Sequence, residues 1–578
     1  MADSYWDKVT TQRISRRRML QSTGVAGAAA SAVWLVGCGG GGSGNKTPAA
    51  TTAGQTAQPT TAPKTNGPDV LNEKNPGVAG GRYLVSNTAS FDTFDPHLGI
   101  ASSTAYFPRL YNVLVQQSPT RPEFTAFDLA ESFETPDPLT WNFKIRKGVK
   151  VAQNTIGVPE RDLNGDDVVA TFERIKNEPK ANNGAFVKQN VTSVTTSGDT
   201  VTIKTKDPYA WFLNRVGLFV NTIPPKELLA DQASIDKMRT KSAGGGPFVL
   251  TSSTEGEGAT LERNKNYFGK DAKNNNAQLP YIDGFDIKLI TDRAAERAAF
   301  LNEQLLSYQP ANKGEADDLA KNSLFYQDKN PSFTFIALTM HPEKDPFKDN
   351  RVRKAFAMAI NREEYVQRVY QGDAKPNGLV HWPLGSYAFS GDELKKRQPF
   401  DLAEAKKLVD AVGGIKVKLM YPAASNIEEH DKHLPIFLEQ MKNAGIVLEQ
   451  DPQDFPTWLE NYRTLNYTLS LSLNQVYETP EVPLDFHSKG GPLTDRSYNV
   501  GLNLPEIDAA IENTKKQTEF EARKKAVLDV QDLIYSKDPA FLPFVSPVTY
   551  VAYNKKVRNL PAGIGSTAGL LNTAWIEA

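Results

Sequence analysis

Cysteine is almost absent from this 578-residue chain: Cys38 is the only one, so no intrachain disulfide can form. Histidine is nearly as scarce, with six, and they are scattered: His97, His341, His381, His430, His433 and His487. Excess charge is missing too. The formal net charge is −1, and without residues 1–37 it is −4, from 61 basic and 65 acidic side chains. A nucleic-acid partner requires a clustered basic face, so none is expected. There is no G-x-S-x-G elbow, no phosphate-binding loop and no cysteine in a catalytic setting. Beyond residue 37 no run is long and apolar enough to span a bilayer, which takes about 20 apolar residues. What these absences leave is ordinary globular composition, 39% hydrophobic and 23% charged, with length for two or three domains. No catalysis and no cofactor or metal are expected of it.

The N-terminus carries the first positive signal. Ser15-Arg16-Arg17-Arg18-Met19-Leu20-Gln21 precedes an uncharged, Ala- and Gly-rich stretch from Gln21 to Gly37. A basic start, a short apolar middle and small residues before a break describe an export signal, here over residues 1–37. The pair Arg16 and Arg17 resembles a twin-arginine signal. The break, Leu35-Val36-Gly37-Cys38, resembles a bacterial lipobox, in which the cysteine is lipidated; the alternative is a plain anchor helix with an incidental cysteine. Gly39–Gly44 is nearly all glycine, and Asn45 to about Asn75 is Thr, Ala, Gln, Pro and Gly with almost no apolar bulk. Such a stretch cannot bury enough surface to fold, so residues 38–80 are expected to be a flexible tether.

The body then alternates strands and helices. Gly81 to Ser86 reads as a strand, and Asp92 to His97 as a loop. Leu139 to Ile145 alternates Leu139, Trp141, Phe143 and Ile145 with Thr140, Asn142 and Lys144, a strand with one wet face. Asp166 to Ile175 reads as an amphipathic helix, and Val191 to Lys206, with Gly198-Asp199 at its middle, as a hairpin. Pro346 to Gly372 reads as two capped helices. Asp349 or Asn350 caps the first, whose Val352, Ala355, Phe356 and Ala359 share one face. Asn361 caps the second, with Glu364 three residues on as a capping box and Gly372 as its stop. Two stretches look like cation sites. Asp162-Leu163-Asn164-Gly165-Asp166-Asp167, with Glu173, partly fits a calcium loop but has Asp167 where the template has glycine. A turn capped by Asp166 into a helix explains it as well. His430 and His433 lie three apart on a helix without a third ligand, which reads as a surface face.

Several of these segments, taken in order, resemble solute-binding protein family 5, the extracytoplasmic peptide, dipeptide and nickel receptors of ABC importers. They begin with Asp128-Leu129-Ala130-Glu131-Ser132-Phe133-Glu134, then Trp141 to Lys150 and Asp166 to Ile175. Gly244 to Leu250, Leu261 to Gly269 and Ile282-Asp283-Gly284 follow. Pro346 to Arg362, Phe400 to Leu408 and Asn503 to Leu542, with Arg523, complete the set, so the likeness covers residues 81–578. The family usually has Trp where Phe268 stands. It also commonly has an aspartate–proline pair where Thr479 precedes Pro480, and in its peptide receptors an aspartate thereabouts holds the peptide's amine. Glu478, Glu481 or Asp485 could substitute here.

The resemblance implies an α/β, two-lobed periplasmic-binding-protein-like fold with an extra inserted domain and two crossovers forming a hinge. Lobe I would comprise 81–114, 236–328 and 546–578, the inserted domain 115–235, and lobe II 329–545. The ligand would lie between the lobes. Expected lining residues are Asn87, Thr88, Tyr106 and Asn112 from the first part of the chain. From the second they are His381, Trp382, Tyr387, Asn474, Tyr477, Glu478, Asp485, Arg496, Tyr498 and Asn499. For each aromatic the competing reading is core packing. Arg351 and Arg353 are expected to brace helices rather than touch ligand. The expected role is a monomeric, lipid-anchored receptor on the outer face of the cell membrane. It captures a peptide or similar amphipathic solute for the importer's permease. A solute sensor with the same fold, a receptor for a sugar, opine or metal chelate, and a secreted hydrolase are the alternatives.

Overall fold

The computed structural model describes residues 77–91, 93–99, 101–117, 125–332, 334–389, 391–423, 428–475, 479–488, 504–537, 540–560 and 572–577. The expectations for Arg16, Arg17, Cys38, Tyr477, Glu478, Arg496, Tyr498 and Asn499 lie outside these residues.

Two mixed sheets form the lobes. In the first, strands run in the order Arg82–Asn87, Gly284–Leu289, Gly258–Arg263, Phe248–Thr254. The first pair is parallel and the others antiparallel. Tyr83, Phe248, Leu261, Phe285 and Ile287 bury one face against Phe94, Leu110 and Tyr111. Backbones approach closely at Gly258 (φ +145°), where a Cβ would meet the Ile287 carbonyl oxygen at 1.9 Å. In the second sheet the order is Ile446–Gln453, Ile415–Pro422, Leu469–Gln475, Thr334–Met340, Phe541–Pro543.

The two helices at Asn350–Ala359 and Arg362–Arg368 pack on the second sheet. Val352, Ala355, Phe356 and Ala359 are buried, as their spacing predicts. Asp349 is the cap of the first helix, accepting from the Arg351 amide. The capping box of the second does not form. Asn361 stands at the cap position without a side-chain bond. Gln440, from the helix Glu428–Asn443, takes over instead: its Nε2 donates to Glu364 at 2.8 Å and to the Asn361 carbonyl at 3.2 Å, and its Oε1 accepts from the Asn361 amide. A tertiary partner has displaced the local one. Arg353 is buried and donates to the carbonyls of Phe347 and Lys348, while the exposed Arg351 pairs with Asp349.

Two neighbouring chain segments join the lobes. Phe325–Pro331 pairs antiparallel with Val545–Asn554, and the strands continuous with them, Thr334–Met340 and Phe541–Pro543, pair in the second sheet. Tyr553 belongs to the first core and Val545 to the second. Val545–Asn554 also pairs with Ser307–Tyr308 and Ala374–Pro376, completing a four-stranded sheet, and two crossing segments of this kind let one body rotate on another with few dihedral changes.

A further four-stranded sheet is an antiparallel unit of Ala130–Asp137, Thr140–Ile145, Thr200–Thr205 and Val191–Ser197. The hairpin turns at Gly198 (φ +58°) and Asp199 as the sequence suggests. The helix Gly165–Asn177 lies on this sheet so tightly that a Cβ at Gly165 would meet Thr196 Oγ1 at 2.0 Å. Its start resolves the calcium-like run. Asn164, not Asp166, caps the helix, in a box with Asp167, while Asp162 accepts from the Gly148 amide at 2.8 Å and Asp166, already inside the first turn, pairs with Lys226. Asp167 is buried against Arg161, which also holds Glu227.

Candidate functional site

The antiparallel unit and its helix Gly165–Asn177 are fastened to the Asp95–His97 turn through a buried charge cluster. Asp95-Pro96-His97 turns back on itself, the His97 amide donating to Asp95 Oδ1 at 3.1 Å. Arg174, from the helix Gly165–Asn177, donates to both Asp95 oxygens at 2.8 and 2.5 Å. Its Nη1 also meets His97 Nδ1 at 2.8 Å, and His97 Nε2 meets the Thr222 carbonyl oxygen at 3.0 Å. An arginine can only donate and a carbonyl only accept, so the ring is neutral with its proton on Nε2. Burial first, and the Arg174 charge second, lower the His97 pKa to about 4. Burial pushes the Asp95 carboxyl up, but Arg174 and His97 outweigh it and hold it below its ordinary value. Nearby, Asp128 accepts from Asn112 Nδ2 at 2.8 Å and from the Val113 amide at 2.9 Å.

A second buried cluster forms where the segment Tyr209–Val216 meets the helices Glu481–Asp485 and Pro505–Lys516. Tyr209, Ala210 and Trp211 lead into the helix Phe212–Val216, which carries Arg215. Opposite them lie Glu481 and Asp485, on the helix Glu481–Asp485, and Lys515, on the helix Pro505–Lys516. Arg215 Nε donates to Glu481 Oε1 at 3.2 Å, and the Tyr209 hydroxyl donates to the same oxygen at 3.4 Å. Lys515 Nζ sits 2.9 Å from Asp485 Oδ1, and its carbonyl accepts from the Ala210 amide at 2.6 Å. Beside this, Trp211 meets Tyr387 edge-on, centroids 5.2 Å apart. Arg523 lies over Trp211 at 4.9 Å and donates to the Tyr387 hydroxyl at 3.1 Å. Two cations and two carboxylates are thus buried together. Burial dominates both acids, raising Glu481 and Asp485 against the pull of Arg215 and Lys515. Among the described residues, Glu481 Oε2 and Arg215 Nη2 have no hydrogen-bond partner.

The sequence-predicted residues fall into three places. Asn87 ends a strand of the first sheet, its side chain turned to the Ala89 carbonyl, and Thr88 beside it is exposed. Tyr106 is buried against Phe91 (5.6 Å) and under Arg109 (4.9 Å). Asn112 is buried in its bond to Asp128. In the second lobe, His381 is fully buried, its ring 4.3 Å from Phe335 and its Nδ1 3.1 Å from Asn377 Nδ2. Trp382 is half-buried beneath Lys375 at 4.8 Å. Asn474 lies on the strand Leu469–Gln475, and its side chain lies outside the described set. Among the described ones, Tyr387 and Asp485 border the same contact, Tyr387 against Trp211 and Asp485 through Lys515, whose carbonyl accepts from the Ala210 amide.

Sequence reasoning did not single out Arg215, Trp211 or Lys515. The aromatic run Tyr209-Ala210-Trp211-Phe212 is the one local signal that marks that surface. Among the described residues no helix is long and apolar enough to cross a membrane, and no three His, Cys, Asp or Glu side chains are grouped to hold a metal.

Comparison with known proteins matches residues 126–490 to the family described as bacterial extracellular solute-binding proteins, family 5 Middle. The chain is 29% identical over 308 residues to di/tripeptide-binding protein 3 of Pseudomonas aeruginosa, covering 49% of this chain and 55% of that protein. Its fold is similar to the periplasmic binding protein DppA of Helicobacter pylori in complex with the peptide STSA. The TM-score is 0.71 at 19% identity, over 87% of this chain and 99% of that one. It is also similar to AgaA of A. tumefaciens R10 in complex with agropinic acid, with TM-score 0.69 at 19% identity, over 86% and 99%.

Proposed function

The chain belongs to the bacterial extracellular solute-binding proteins of family 5, and we propose that it is the receptor of an ABC importer, capturing a peptide or similar amphipathic solute between two closing lobes. The observation that carries this is the paired crossing of Phe325–Met340 and Phe541–Asn554 between the two lobe sheets, in a chain of this family. A ligand shifts such a protein toward closure only by binding the closed form better than the open one. Lobe I is taken as 81–114, 236–328 and 546–578, the insert as 115–235 and lobe II as 329–545. The permease recognises the closed form. A lipid on Cys38 holds the monomer at the outer face of the membrane, and the tether gives it reach. The protein performs no chemistry on its solute.

A non-peptide solute is the second reading, favoured by one observation. Of the three carboxylates that could hold a peptide's amine, Glu481 and Asp485 are buried and engaged by Arg215 and Lys515. A thermal-shift screen over di- and tripeptides, longer peptides, opines, sugars and nickel chelates separates the readings. Stabilisation by peptides supports the first. Stabilisation by a metal chelate alone contradicts it.

A further inference from the structure

We propose that the insert is a latch: Arg215 and Trp211 hold the second lobe closed through contacts that no solute mediates, and so set how much of the protein is closed before a solute arrives. Three observations carry this. First, the insert is fixed to the first lobe. Arg174 grips Asp95 and His97, the Ile223 amide donates to the Asn112 carbonyl at 2.7 Å, and the Ala152 amide to the Gly244 carbonyl at 2.8 Å. The two therefore move as one body during any hinge motion. Second, the insert also touches the second lobe, which is the body that must swing away. The touching groups have the burial of a core: Tyr209, Trp211 and Phe212 belong to one apolar cluster with Leu379, Leu384, Tyr387, Leu484 and Ile507. Third, the polar bonds across the contact are direct, protein to protein, including the backbone bond from Ala210 to Lys515.

Opening the hinge must then break these contacts and expose the apolar cluster, whatever the ligand. Apparent affinity scales with the fraction of protein in the binding-competent form, so Arg215 and Trp211 act as positioning residues for capture without touching solute. The electrostatics make Arg215 the sensitive point. Removing it leaves Glu481 buried without its cation, and the cheapest relief is for the lobes to part and let water reach the carboxylate. Replacing both members by apolar side chains removes that drive, since a buried pair exchanged for well-packed apolar groups is often neutral.

The test is an interlobe distance in solute-stripped protein. Labels are placed at two exposed positions, Lys180→Cys on the insert and Lys406→Cys on the second lobe, in a Cys38→Ser background, and read by single-molecule energy transfer. The closed population should dominate in the parent. Arg215→Met should lower the closed-to-open ratio by about tenfold or more, and the double variant Arg215→Met/Glu481→Leu should restore it. Trp211→Leu, which keeps a buried apolar side chain but loses the Tyr387 and Arg523 contacts, should also shift toward open. It decides the matter if Arg215→Met does not fold. A parent already open without solute, or variants whose ratio matches the parent's, overturns the latch. The reading rests on the two-lobed receptor only for its effect on affinity. Because the distance is measured without solute, failure of the latch and failure of the receptor assignment are distinguishable.

Discussion

His487 offers a quantitative test of the buried interior of the second lobe. Its backbone amide donates to the Leu484 carbonyl at 2.9 Å, just after the helix Glu481–Asp485. Its ring stands at 77° to Phe541, 6.1 Å away, fully buried, and among the described residues neither ring nitrogen has a hydrogen-bond partner. Burial alone lowers its pKa to about 3. An unfolded histidine titrates near 6.5. A depressed native value means the unfolded chain binds more protons in the window between, so stability is full above about pH 6.5 and falls as pH drops toward the native value. From pH 7 to 5.5 the unfolded state gains roughly 1.2 kcal/mol from one such residue, and the native state almost nothing. His381, also lowered to about 3, and His97, to about 4, act in the same direction. Three buried carboxyls oppose them: Asp128, Glu481 and Asp485, all raised by burial. The clean quantity is therefore a difference. Denaturant midpoints of the parent and His487→Phe are measured at pH 7 and at pH 5.5. The stability lost on acidification should be smaller in the variant by roughly 1.2 kcal/mol, whatever its packing does at pH 7. Equal losses in both proteins would refute the reasoning, because the imidazole would then be reaching water or a partner.

The clamp at Asp95 and the N-terminal anchor yield two further predictions. Arg174→Met leaves Asp95 buried without a cation and should cost about 3–5 kcal/mol in denaturant unfolding, most of it recovered in Arg174→Met/Asp95→Asn. A loss under about 1 kcal/mol would mean the pair is as weak as a surface one. Cys38→Ala should release the body into the soluble fraction after export, and persistent membrane association of that variant would count against a lipid at this position.

Short-range rules made much of the fold legible. The Gly198-Asp199 turn, the capped helix after Asn164 and the buried face of Asn350–Ala359 each depend on residues within a few positions of one another. The failures are long-range. Asn361 and Glu364 carry every local mark of a capping box, yet Gln440, 79 residues from Asn361, holds both. Arg174 and Arg215 look like ordinary surface charges in sequence. Their carboxylate partners lie 79 and 266 residues away, and no periodicity announces a buried ion pair across such a gap. The ordered family motifs made the lobes and their hinge legible, but motifs shared by many receptors report scaffold. What distinguishes one solute from another depends on which side chains face each other after closure. Tyr387 shows the difficulty: it meets Trp211, 176 residues before it, and Arg523, 136 residues after it.

Titration calorimetry of the intact receptor against a panel of di- and tripeptides, with mass analysis of the solute recovered afterwards, tests the central claim most directly. The account predicts saturable binding of at least one peptide or similar amphipathic solute, one per chain, recovered at its original mass. A panel in which nothing binds, or a solute recovered cleaved, would contradict it.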